Sequence, residues 1–179
     1  MTQVSGAFTR DANAVPIQQN GLLTVSRKSL TANNTTASIP LFNVVGSVEI
    51  KALYAVVTEA LGSNVTAAYW RINDQTAQAA ISLATGTTLS SFGVGSTLVR
   101  RSLVSVALSA TNNTAGVVVD PVAATAPDVF MPFIVVQKTG GVRTDIEFTY
   151  TTTNTPTSGT LDFYVGWVPL SEGSYITAY

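Results

Sequence analysis

From Gly21 onward, hydrophobic and polar residues alternate with a period of two over short runs rich in Val, Ile, Thr, Tyr and Phe. That is the pattern of strands buried on one face. Asn-Asn, Gly-Ser, Gly-Gly, Asn-Thr-Pro and Thr-Ser-Gly steps separate the runs, and these residues turn a chain at low backbone cost. The pattern predicts strands over Leu22–Ser26, Thr36–Phe42, Ser47–Thr58, Val65–Ile72, Ala79–Leu83, Leu98–Ala110, Gly116–Val119, Val129–Lys138, Asp145–Thr153 and Thr160–Val168. In the third run, Val48, Ile50, Ala52, Tyr54 and Val56 fall on one face, with Glu49, Lys51 and Glu59 on the other. Ile146, Phe148 and Tyr150 likewise oppose Asp145, Glu147 and Thr149. Frequent Gln and Ala leave a helix open only around Asp74–Leu83, because β-branched residues elsewhere disfavour long helices.

About ten short strands with turn signals every 8–15 residues or so imply an all-β, single β-sandwich with jelly-roll-like topology. We assign it residues 21–179. Residues 1–20 have mixed polarity, a central Pro16 and no apolar periodicity, and are expected to form an extended N-terminal arm without a core of its own.

Composition changes the picture in one respect. Hydrophobic residues make up 46% of the chain but charged residues only 11%, against about 25% in ordinary soluble proteins. Thr, Ser, Asn and Gln supply the rest of the polar surface, and the net charge is −1. Copies of such a chain repel one another weakly, and an interface between them strands few ions. A homo-oligomer follows as an expectation, with a trimer as first choice. The opening Met1–Arg10 lacks the basic start and apolar core of a secretory signal, and no run of about 20 apolar residues follows. The expected product is not exported by that route and engages no membrane.

With no histidine and no cysteine, Ser-His-Asp and Cys-His machinery and the usual zinc and copper sites are excluded. The residues three before Lys28, Lys51 and Lys138 are Val25, Val48 and Val135, so the Ser-x-x-Lys spacing is absent too. Asp145 and Glu147 are the one close acidic pair on a single strand face. They could act as glycosidase carboxylates or hold calcium, but a solvated strand face is the favoured reading. Asp11-Ala12-Asn13 begins like a calcium loop, and Val15-Pro16 breaks the ligand pattern. Gly93-Val94-Gly95 lacks the third glycine of a dinucleotide fingerprint. The basic doublets Arg27-Lys28 and Arg100-Arg101 would point to opposite strand faces, so neither makes a stripe for nucleic acid. No cofactor, metal or catalytic residue is expected, and the chain reads as a non-enzyme. Tyr69 and Trp70 could stack on a glycan, although core packing is the favoured role for Trp70 and for the Phe163–Trp167 run.

Two stretches carry a resemblance. Arg10-Asp11-Ala12-Asn13-Ala14-Val15-Pro16-Ile17 resembles the short RDxNxVP arm at the start of head-decoration, fibre and related structural proteins of tailed bacteriophages, with Ala14 where a basic residue is common. Ser38–Lys51 and Gly159–Leu170 are similar to the opening and closing strands of small phage virion proteins. The resemblance implies a virion structural protein on the capsid surface, a decoration or cement protein that binds the major capsid protein or another virion protein. The arm residues Phe8, Arg10, Asp11, Asn13, Val15, Pro16 and Ile17 would make that contact, since Pro16 biases Val15 toward an extended backbone open to a neighbour's sheet. The alternative is a tail or fibre-tip module that binds a host-surface glycan through Tyr69 and Trp70.

Overall fold

A computed structural model describes residues 9–10, 16–17, 21–62, 64–75, 80–101, 107–111, 132–138, 142–153 and 158–179. Among the described residues there is no helix. The strands are β1 (Thr9–Arg10), β2 (Pro16–Ile17), β3 (Leu22–Ser29), β4 (Thr36–Val45), β5 (Ser47–Glu59), β6 (Val65–Asn73), β7 (Ile81–Ser82), β8 (Thr97–Val99), β9 (Ser109–Thr111), β10 (Phe133–Val136), β11 (Thr144–Thr152), β12 (Thr160–Pro169) and β13 (Tyr175–Ala178).

They form two antiparallel sheets packed face to face. One runs β3-β12-β5-β8-β9, with β10 sharing the outer edge of β5; the other runs β13-β4-β11-β6-β7. The pairing is nested: β3 with β12, β4 with β11, β5 with β10, and β6 with β7. This is one long antiparallel ribbon rolled up until β12 also meets β5 and β11 also meets β6. Successive strands β3 to β6 alternate between the sheets, so the neighbour order is that of a jelly roll. Strand β13 extends the second sheet beyond β4.

The core lies between the sheets and follows from side-chain alternation. Trp70, Phe42, Phe148, Phe163 and Tyr150 are its largest fully buried side chains. Trp70 meets Phe148 and Phe163 edge-on, with centroids 5.7 and 6.4 Å away. Tyr150 keeps its hydroxyl satisfied by accepting the backbone N–H groups of Thr31 and Ala32, each at 3.2 Å. Trp167 donates Nε1–H to Thr24 Oγ1 at 3.0 Å.

Several expectations change. In β5 the ladder pairs Ile50 with Trp167 and Ala52 with Gly166, leaving Lys51 unmatched. This bulge switches the parity of the strand: Val48 and Ile50 face inward, then Leu53, Ala55 and Val57 do, while Tyr54 and Val56 turn outward. The single run expected over Leu98–Ala110 is instead the antiparallel pair β8–β9. The strand reading of Ala79–Leu83 prevails at Ile81–Ser82, and Gly116–Val119 lies outside the described residues.

Gly46 alone joins β4 to β5 and so carries the chain from one sheet to the other. Its φ is +72°, a left-handed conformation that suits glycine. A Cβ there would run into the Ser174 hydroxyl, which accepts the Ser47 N–H at 2.9 Å.

Candidate functional site

Among the arm residues, the backbones of Arg10, Pro16 and Ile17 are described. Thr9 pairs with Ile17 and Arg10 with Pro16, antiparallel, in a two-stranded ladder that belongs to neither large sheet. The four described residues of the expected extended arm are two short strands paired with each other. Phe8, Asp11, Asn13 and Val15 lie outside the described residues.

Trp70 is 0% exposed, so this ring packs the core and offers no face to a sugar. Its neighbour Tyr69 points the other way and is half-buried on the outer face of the five-stranded sheet. The two therefore cannot form one stacking platform, because adjacent strand residues face opposite sides.

That outer face is polar and its centre is the expected acidic pair. Asp145 and Glu147 do project from the face opposite Ile146, Phe148 and Tyr150, but they are not solvated: they are 0% and 5% exposed. Asp145 Oδ1 accepts from Tyr179 Oη at 2.6 Å and Asn43 Nδ2 at 3.2 Å. Its Oδ2 accepts from Gln75 Nε2 at 2.9 Å and pairs with Arg143 Nε at 2.8 Å. Glu147 Oε1 accepts from Asn73 Nδ2 at 3.0 Å and Gln75 Nε2 at 2.9 Å, and its Oε2 takes Arg71 Nε at 2.7 Å. One amide, Gln75 Nε2, bridges both carboxylates, and Gln75 reaches them from a backbone with φ of +56°. With every carboxylate oxygen holding two protein donors or a charged fork, neither group presents an open lone pair for proton transfer or a cation. Burial pushes the Tyr179 hydroxyl up to about 12, with the bond to Asp145 adding to the rise. Beyond Glu147 along β11 the polar row continues in hydroxyl pairs, Ser38 with Thr149 and Thr36 with Thr151, each at 2.8 Å.

The outer face of the six-stranded sheet is different. Register aligns three cross-strand rows: Leu23–Gly166–Ala52, Val25–Tyr164–Tyr54–Val99, and Arg27–Asp162–Val56–Thr97. Tyr54 and Tyr164 stack with centroids 4.7 Å apart and planes within 6°. Burial, and then the neighbouring Tyr164, raise the Tyr54 hydroxyl above its ordinary value. Arg27 grips Asp162 through two bonds of 2.6 and 2.7 Å, and this hydrogen bonding holds the Asp162 carboxyl below the usual carboxylate range against the opposing effect of burial. Sequence reasoning missed this face because the β5 bulge places Tyr54 and Val56 outside; the alternation of Leu23, Val25 and Arg27 was the available signal.

Of the basic doublets, Arg27-Lys28 lies on the edge strand β3 with Arg27 exposed, and Arg100-Arg101 is internal. Arg100 and Arg101 are both buried; Arg100 donates Nε–H to the Leu83 carbonyl at 3.2 Å and lies 4.4 Å over the Phe133 ring. Among the described residues no three acidic side chains gather as a metal cage. Comparisons with protein-family models, curated proteins and solved structures find no match to this chain.

Proposed function

We propose that the chain is a non-enzymatic structural protein of a bacteriophage particle, a head-decoration or cement protein that self-associates, with a trimer as first choice, and docks on the capsid surface through its N-terminal arm. The observation that supports this reading is the topology: the described strands after Gly21 form the two packed sheets, and the ladder at Arg10 and Pro16 is hydrogen-bonded into neither. An arm without a core of its own costs about 1–2 kcal/mol per residue to order, which contacts with another chain can offset. The RDxNxVP-like sequence supplies directional polar groups at Arg10 and Asp11 and apolar ones at Val15 and Ile17. The exhausted bonding of Asp145 and Glu147 supports the non-enzymatic part of the reading.

The test is deletion of residues 1–20, followed by paired melting and particle-binding measurements. Melting within about 3 °C of the full chain together with loss of particle binding is the expected pair of results. Undiminished binding would remove the arm as anchor. Cryo-electron microscopy that located the chain in the tail, or failed to find it in particles, would overturn the capsid assignment.

A further inference from the structure

The two outer faces of this sandwich differ in kind. Around Asp145 and Glu147 the five-stranded sheet is covered by amides, hydroxyls and guanidinium groups, the covering that water and polar side chains give an exposed sheet. The six-stranded sheet exposes Leu23 at 56% and Val25 at 43% beside a stacked tyrosine pair. Contiguous apolar surface of this kind marks an interaction site, and tyrosine is enriched at the centres of protein interfaces.

We propose that the outer face of the six-stranded sheet, centred on Tyr54 and Tyr164, packs against a second copy of the chain. Charge selects this occupant. The one ion pair in the three rows, Arg27–Asp162, is satisfied within the chain, so the face presents no unpaired charge in those rows and asks for none in its partner. Another copy, with the same face and a net charge of −1, meets that requirement without like-charge repulsion; a strongly acidic or basic partner finds nothing to pair with. Area agrees. Eight residues of β3, ten of β12, the ten of β5 beside them and three of β8, at about 3.3 by 4.8 Å each, give roughly 500 Å² per copy, or roughly 1,000 Å² in a pair, the least that a specific interface needs. This inference rests on the self-association in the reading above and gives it a surface; a face that meets its like is a two-fold contact, so it specifies a dimer in place of the trimer of first choice, and it is independent of where in a particle the protein sits.

Light scattering and sedimentation of the full chain at micromolar concentration test it, with Leu23→Lys/Val25→Lys as the disrupting variant. Both positions lie on an edge strand, where lysine is well tolerated. Tyr54→Gln, on a central strand, is a second and independent disruption. Ile81→Lys, at an exposed apolar position on the five-stranded sheet, is the control, and thermal unfolding monitors the fold of every variant. Wild type and control are expected at a multiple of 18.7 kDa, and both face variants at least ten-fold weaker in association. A wild type at 18.7 kDa throughout, folded face variants of unchanged mass, or dissociation by the control alone would each overturn the proposal. Loss of particle binding by a variant that still associates would bear on the virion reading and leave this one standing.

Discussion

Tyr179 donates its phenolic hydrogen to Oδ1 of Asp145 at 2.6 Å while its own N–H binds the Leu41 carbonyl at 3.1 Å. The residue that follows β13 thereby roofs a carboxylate on β11, and the Arg143 guanidinium lies 5.4 Å over the Tyr179 ring.

This bond makes the fold sensitive to alkali. The folded protein holds the Tyr179 hydroxyl at about 12, above the ordinary value near 10, because the neutral phenol is the form that fits. The stabilisation is therefore complete below pH 10 and is lost as pH rises from about 10 to 12. Thermal melts across pH 8–12 should fall more steeply for wild type than for Tyr179→Phe. At neutral pH the variant should be less stable by about 1.5–3 kcal/mol, the range for a hydrogen bond to a charged group. Parallel pH profiles would show that the bond does not form in solution.

Glu147→Ala should be among the most damaging substitutions on the outer surface. It leaves Arg71, whose side chain is 25% exposed, facing a vacant site together with Asn73 and Gln75, and breaking one side of a buried ion pair costs about 3–5 kcal/mol. Urea unfolding measures it; a midpoint equal to wild type would place Glu147 in solvent.

The core position of Trp70 separates its two substitutions. Trp70→Ala should cost about 3–5 kcal/mol through the cavity it opens. Trp70→Phe should cost clearly less, since the indole Nε1 is buried without a hydrogen-bond partner among the described residues and its removal relieves an unsatisfied donor. Calorimetry distinguishes the two, and equal losses would contradict the geometry.

Gly46→Ala strains the crossing between sheets twice, by φ of +72° and by collision with Ser174. A loss of at least about 1–2 kcal/mol is expected. Ser174→Gly removes the collision but also the acceptor of the Ser47 N–H, so it is measured alone as well; a double variant whose loss equals the sum of the two single losses would refute the contact.

Much of the fold was legible in the chain because alternation survives wherever a strand is regular. The inward set Ile146, Phe148 and Tyr150 and the outward set Asp145, Glu147 and Thr149 are as the pattern requires. Parity fails at Lys51, since a bulge inserts one residue without altering composition, and every assignment beyond it in β5 reverses. β13 escaped notice although Tyr175-Ile176 follows a Ser-Glu-Gly turn, because four residues are too few to establish a period. The burial of Asp145 was not legible either: its covering groups Tyr179 and Gln75 stand 34 and 70 positions away in sequence. The core role favoured for Trp70 is the one the structure gives it, on β6 beside β11.

The nested ladder also sets an order of events during synthesis. Leu22 pairs with Trp167, so β3 has no strand partner in its sheet until synthesis has passed Trp167. Pairing that spans such separations must close a long loop before any contact is gained, which places folding in the slow, millisecond-to-second range typical of non-local β proteins. Throughout that interval β3 presents Leu22, Leu23 and Val25 on an open edge, a template for a neighbouring nascent chain as much as for β12. High-level expression should therefore divide this protein between soluble product and aggregate according to how crowded the growing chains are.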